Sequence, residues 1–269
     1  MTTVKHKLNI LSFIILTLLC NSYCQLIVNV KNRGGDVERE TIEANTTADT
    51  IRLEFLSMDG THVTHFIDFK ADVQVFRVFV PWEEERGLSL PQPQVLCFVT
   101  RFGKNEFISS DAMSKLRQKN PTAIRSPEED RGVEKHTLDL LVSLDRSALI
   151  SPYLYNICSS APDSTYSNEA DIKLISQVLN KDLSKMMSAV KSTESEKISR
   201  CKDTTDIKKP CTCQYHLCIG WYPCGLKYCR GKDSAGKVVN YRCGIKTCRR
   251  CLLFEHYASQ KMLCLWDDL

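Results

Sequence analysis

The sequence has no apolar run long enough to cross a bilayer comfortably, no repeated metal knuckle, and none of the short motifs that mark common hydrolases. Its longest apolar stretch, Leu8 to Leu19, falls short of the roughly 20 residues a membrane span takes, which argues against stable membrane insertion. A Gly-x-Ser-x-Gly elbow, a His-Glu-x-x-His pair and a phosphate loop are all missing. Histidine is scarce, and His62, His65 and His136 fall on strand candidates, where they read as structural or surface groups. Strong charge is missing too: 36 bases face 32 acids, a balance that gives no reason to expect a nucleic-acid partner. Composition therefore points away from an enzyme and implies no cofactor.

What the chain does have is cysteine. Ten of its 14 cysteines lie between Cys201 and Cys264, close to the end of the 269 residues. At the other end, Lys5 and Lys7, the apolar stretch and Ser22-Tyr23-Cys24 have the order of a secretory signal peptide over residues 1–24. A signal anchor is the competing reading, and the short apolar run disfavours it. Removal of residues 1–24 takes away Cys20 and Cys24 and leaves an even set of cysteines. An even set in an oxidising compartment favours disulfides and predicts a secreted, extracellular protein. Zinc is the alternative for the tail, because His216 and His256 lie among the cysteines. Only Cys248–Cys251 has knuckle spacing, however, so the spacing favours disulfides.

Four parts follow: the signal, residues 25–190, a polar linker over 191–209, and a cysteine-rich region over 210–269. The last is too small to bury much apolar surface, so cross-links are expected to stabilise it. In the second part, Leu26–Val30, Ile51–Phe55, His62–Phe69, Val73–Val80 and Val95–Val99 read as strands, and Met58-Asp59-Gly60-Thr61 as a tight turn. A Glu- and Pro-rich loop precedes Val95. A helix is predicted from Ser110 to Lys119, a mobile loop from Pro121 to Val133, and a further strand from His136 to Leu144. One helix with Ser167 as N-cap is expected to bury Ile172, Ile175, Val178, Leu179, Leu183, Met186, Met187 and Val190 on a single face. Asn45-Thr46-Thr47 is a glycosylation sequon, which in a secreted chain marks a surface loop. Arg242, Lys246, Arg249 and Arg250 are candidates for a patch that binds a sulfated glycan, with a solvated face as the plainer reading.

Longer strings carry a resemblance. Phe66-Ile67-Asp68-Phe69-Lys70-Ala71-Asp72-Val73-Gln74-Val75-Phe76-Arg77, Trp221-Tyr222-Pro223-Cys224, Tyr241-Arg242-Cys243-Gly244-Ile245 and Leu263-Cys264-Leu265-Trp266-Asp267 resemble the secreted out at first family. The matches span nearly the whole chain after the signal. The resemblance implies a BRICHOS-like α+β domain, an antiparallel sheet flanked by helices, followed by a small disulfide-rich module. It assigns a signature aspartate to Asp68 and a disulfide to Cys97 and Cys158, the two cysteines of residues 25–190. The family's tail pattern holds eight cysteines, which leaves Cys218 and Cys251 as extras that would pair with each other. Cys201, Cys211, Cys213, Cys224, Cys229, Cys243, Cys248 and Cys264 remain open as to pairing. Asp68 has two readings, a pH-sensitive switch or an ordinary turn aspartate. Three functions are implied or remain open: an extracellular developmental or signalling factor that binds another protein, a chaperone that covers a β-prone client segment by strand addition, and a matrix protein that binds heparan sulfate.

Overall fold

A computed structural model describes residues 24–32, 34–81, 93–118, 120–193, 198–232, 234, 236–264 and 266. The predicted signal peptide, apart from Cys24, and most of the Glu- and Pro-rich loop lie outside the described residues.

Six strands form an antiparallel meander: β1 (Cys24–Lys31), β2 (Val37–Asn45), β3 (Thr50–Leu56), β4 (His62–Asp68), β5 (Val73–Val80) and β6 (Gln94–Arg101). Alternation sets their register. In β3, Ile51, Leu53 and Phe55 turn inward while Arg52 and Glu54 point to the other face, as the two-residue period of a strand requires. Gly60 takes φ +81° in the turn between β3 and β4, a conformation a side chain would strain. Short strands complete this sheet: β7 (Ile124–Arg125), β9 (Leu140–Val142), β10 (Thr165–Ser167) and β11 (Val190–Ser192). Its order is β11-β9-β10-β6-β5-β4-β3-β2-β1-β7.

A second sheet lies across it. The cysteine-rich tail folds into one long hairpin, β12 (Cys211–Lys232) and β13 (Val238–Ala258). Its third strand, β8 (Glu129–Leu138), comes from the earlier part of the chain and runs parallel to β13. The hairpin's inner face, with Leu217, Ile219, Leu252 and Phe254, shares one core with Leu53, Val63, Phe76 and Phe98 of the meander. The Phe98 and Phe254 rings stack with centroids 4.2 Å apart.

On the far side of the meander, Val73, Val75 and Val99 meet a small helical layer. It consists of α2 (Leu154–Cys158), α3 (Glu169–Leu179) and α4 (Leu183–Met187); the five-residue α1 (Ser110–Ser114) lies elsewhere, beside β2. A Cys97–Cys158 disulfide ties β6 to α2.

The α+β, BRICHOS-like sheet flanked by helices is therefore not what this chain forms. Strands make up 50% of it and helices 18%, so the fold is mostly β. The apolar face expected to need helices is largely closed by the tail hairpin. Three local expectations also change. The single helix predicted from Ser167 is two, because Asn180 adopts the left-handed conformation at φ 49° and ends α3; Asn168, not Ser167, caps it by accepting from the Asp171 N–H. The helix at Ser110 stops at Ser114. The segment read as a mobile loop contains β7 and the first half of β8.

That last difference has an electrostatic cause. Glu128, Glu129 and Asp130 meet Lys227, Lys246 and Arg249 of the hairpin, with Glu128–Lys227 at 2.6 Å and Asp130–Arg249 at 2.9 Å. Lys135 reaches Glu255 at 2.9 Å further along. The basic tail and the acidic middle of the sequence thus neutralise each other within one molecule. Most of these pairs are partly exposed, so each is worth little alone. Together they set the register of a strand whose own residues are mostly polar.

Candidate binding surface

The hairpin's disulfides are nested. Cys213 joins Cys264, Cys218 joins Cys251, Cys224 joins Cys248 and Cys229 joins Cys243; Cys201 and Cys211 close a short loop before β12. Each tail cysteine beyond Cys211 bonds to the one about as far from the turn on the opposite side. The hairpin geometry enforces this, and the pairing follows from the position of the turn near Gly236. The same ladder accounts for the clusters Cys201-Cys213-Cys264 and His216-Cys218-Cys251, whose sulfurs are all in disulfides.

Bulges shape the hairpin. Register slips occur between Ile219 and Tyr222, between Pro223 and Gly225, and between Lys227 and Tyr228. At the first, Glu40 of β2 is fully buried and its Oε1 accepts the Trp221 N–H at 3.2 Å. Gly220 is required there: a Cβ would lie 2.9 Å from Val30 Cγ1 and 3.3 Å from Glu40 Oε1. Burial lifts the Glu40 carboxyl well above the ordinary carboxylate range, against the lowering pull of the Trp221 and Gly220 main-chain groups.

Arg250 crosses between the sheets. It donates to Glu106 Oε2 at 2.7 Å and to Gln74 Oε1 at 2.9 Å, and its guanidinium lies 5.4 Å from the Tyr222 ring centre and 5.9 Å from that of Phe76. Gln74 donates its own N–H to Arg101 O, so its oxygen also takes the His65 Nε2–H at 3.0 Å. Burial, then the nearby Arg250 charge, push the His65 pKa well down. His256, in contact with the Phe98 and Tyr166 rings, is pushed down to about 4 by burial. Each of these strongly shifted groups is walled into the core.

Their pH effects have opposite signs. His256 takes up a proton at 6.5 in the open chain and at about 4 in the fold. Its contribution is complete above pH 6.5 and is lost as the pH falls towards 4. The raised Glu40 pKa gives stability that is complete below 4.5, the open-chain value, and is lost as the pH rises through the native one. His256→Gln is expected to flatten the acid limb of the stability profile by about 3 kcal/mol. Glu40→Gln should gain stability over the parent at pH 8 but not at pH 4. Urea unfolding across this range checks both.

Beyond the first two bulges the hairpin leaves the body as an arm. Its β12 side, Leu226–Lys232, is roughly 23 Å long at strand rise. Tyr228, 62% exposed, shares one face of the arm with Val238, 61% exposed, while Tyr241, 52% exposed, stands on the other face beside Cys229. Cys229–Cys243 staples the two sides. Gly231 lets the Tyr241 ring lie against the opposite strand, because a Cβ there would come within 2.9 Å of it. Arg230, Lys232 and Arg242 share the Tyr228 face and add positive charge there. A cleft of about 450 Å³ opens at the base, between β1 and the hairpin, with Leu26, Val28, Leu116, Trp221 and Ile245 among its lining.

The other expected residues are dispersed. Of the four-residue basic patch, Arg250 points inward, Arg249 and Lys246 are paired with Asp130 and Glu129, and Arg242 lies on the arm. Successive residues of a strand face opposite sides, which separates Arg249 from Arg250. Asp68 is buried at the turn between β4 and β5. Its Oδ1 accepts the Lys70 and Ala71 N–H groups at 3.1 and 3.2 Å, and its Oδ2 accepts the Ser151 hydroxyl at 3.0 Å. Asn45 is exposed at the end of β2, with its Oδ1 accepting the Ala48 N–H.

Comparison with known proteins places this arrangement. The family model described as "Out at first" matches residues 24–175, and "Out at first, C-terminal" matches residues 200–268. The Out at first protein of Drosophila virilis is 45% identical over 276 aligned residues, which cover 98% of this chain and 90% of that protein. That of Drosophila melanogaster is 44% identical over 278 aligned residues, covering 98% of this chain but 57% of that longer protein. No solved structure matches. With relatives this similar along almost its whole length, the chain belongs to the Out at first family.

Proposed function

We propose that this protein is a secreted, non-enzymatic factor that binds another extracellular protein in signalling or development, and that the stapled arm is its contact surface. The arm carries this reading: Tyr228 and Tyr241 stand exposed on a hairpin fixed by the Cys229–Cys243 bond. Tyrosine and arginine are the residues that most often dominate binding energy, and a cross-linked hairpin loses little entropy on docking. The surrounding cations favour an acidic protein surface as the partner. Secretion is supported by the leader-like residues 1–24 and by six disulfides, which belong to an oxidising compartment. Among the described residues no helix is long and apolar enough to cross a membrane. A role without catalysis is supported by the core position of Glu40, His65 and His256, which are at most 1% exposed.

Strand addition to a client has less support. In the larger sheet the edge strands, β7 and β11, hold only 2 and 3 residues. Beside β7, the Gln118 side chain donates to Ile27 O at 2.6 Å and accepts the Ile27 N–H at 2.9 Å, filling the place a client strand would take. A sulfated glycan would have to rely on the arm's cations alone.

The labelled full chain, recovered from the medium of an animal cell line, is expected to bind cells saturably. Trypsin treatment of those cells should remove the sites, and heparan-sulfate digestion should leave them. Loss on glycan digestion alone would replace the protein partner with a glycan, and unsaturable binding would reject both.

A further inference from the structure

The Cys218–Cys251 bond differs from its neighbours in position and surroundings. The two cysteines are directly opposite each other in the β12–β13 register. The hairpin is already bracketed there by Cys213–Cys264 on one side and Cys224–Cys248 on the other. A third cross-link between those two closes only a short additional loop and removes little unfolded-chain entropy. The bond is therefore nearly redundant for stability, and its opening leaves the hairpin held.

Its chemistry is also particular. β12 is an outer strand of its sheet, and Cys218 is partly exposed on it, whereas Cys251 is 2% exposed. Arg249 Nη2 lies 3.4 Å from Cys218 Sγ, and His216 Nε2 lies 4.0 Å from it. The Arg249 guanidinium at that range attracts an incoming thiolate and stabilises negative charge on sulfur. Asp130, paired with Arg249 at 2.9 Å, partly offsets that charge.

We propose that Cys218–Cys251 is a thiol–disulfide exchange site at which a small thiol of the glutathione class attacks Cys218. The thiolate forms a bond to Cys218 Sγ as the Cys218–Cys251 bond breaks. The electron pair leaves on Cys251 Sγ, which takes a proton from solvent. The product is a mixed disulfide on Cys218 and a free thiol on Cys251. A second thiolate then attacks the mixed disulfide at the small thiol's sulfur, releasing reduced Cys218 and an oxidised small-thiol dimer. Two electrons pass from the small thiols to the protein, and the hairpin stays cross-linked on both sides.

The test treats the intact protein with graded reduced glutathione, quenches with acid, alkylates, and maps adducts by mass spectrometry. Cys229–Cys243, on the exposed arm, is the internal reference. The expected result is a glutathione adduct on Cys218, with Cys251 alkylated, at lower thiol concentration than any opening of the reference bond. Arg249→Gln should slow the adduct about fivefold, the factor that a unit charge some 4 Å away carries in bulk water. Arg249→Lys should keep most of the rate, and the reference bond should not change. A loosened fold would speed labelling, so a fall distinguishes lost charge from damage. If Arg249→Gln does not fold, Asp130→Asn reads the same interaction from the other side and should speed the adduct at Cys218 only. Prior opening of Cys229–Cys243, an adduct on Cys251, or an unchanged or faster rate in Arg249→Gln would overturn the proposal.

Discussion

Glu106→Ala is expected to destabilise the protein more than Arg250→Met, although Glu106 is the more exposed partner of the pair. The Glu106 side chain is 32% exposed and that of Arg250 6%. Removing Glu106 leaves a buried guanidinium with only Gln74 and the Phe76 and Tyr222 rings, and an unpaired buried charge costs about 3–5 kcal/mol. It also takes away the acceptor of the Gly103 N–H. Removing Arg250 instead frees Glu106 to turn to water and leaves Gln74 Oε1 bonded to His65. Methionine fills much of the vacated volume, so the cost falls to about 1 kcal/mol or less. Adding Arg250→Met to Glu106→Ala should therefore recover most of the loss. Urea unfolding of the parent, the two single variants and the double variant measures all of this. A larger loss from Arg250→Met than from Glu106→Ala would show that the cation organises the interface rather than being tolerated in it.

The second large effect concerns Cys97 and Cys158. Their bond spans 61 residues and is the one cross-link among the described residues that holds the helical layer to the meander. Replacing both cysteines with alanine is expected to cost about 4 kcal/mol in the chain-entropy account. Both side chains are fully buried, so small cavities add to this. Denaturant melts without reductant should show the midpoint falling and the slope rising, because the denatured chain without the cross-link is less compact and exposes more surface. A loss under 1 kcal/mol, on the order of a single weak contact, would mean that Leu154, Ile172, Ile175 and Met186 hold the layer by packing alone.

How far these features were legible in the sequence depended on whether their cause was local. Val73–Val80 and Ile51–Phe55 announce themselves, because alternation and β-branching are properties of neighbouring residues. β2 does not, since Val37-Glu38-Arg39-Glu40-Thr41 carries charges on both faces and one of them, Glu40, goes inward to meet the hairpin bulge. The first half of β8 looks like a solvated loop because its partners, Lys246, Arg249 and β13 itself, lie about a hundred residues further on. The tail hid its regularity differently. Glycines and cysteines punctuate it, and three register slips break the alternation that marks a strand. The nested bonds follow once the turn is placed, but nothing local places it.

The basic patch failed for a related reason. Arg242, Lys246, Arg249 and Arg250 are close in sequence, yet strand geometry and acidic partners assign them four different surroundings. The arm became visible only when the body was in place, because the exposure of Tyr228 and Tyr241 is defined by what does not cover them.

The most direct test of the account is therefore on the arm. Full-length protein carrying Tyr228→Ser and Tyr241→Ser should fold, keep all six disulfides and reach the medium, because neither side chain belongs to the buried core. Its saturable binding to cells should fall at least tenfold in affinity, the scale at which an anchoring aromatic contributes. Binding equal to that of the parent protein would contradict the account and move the contact surface off the hairpin.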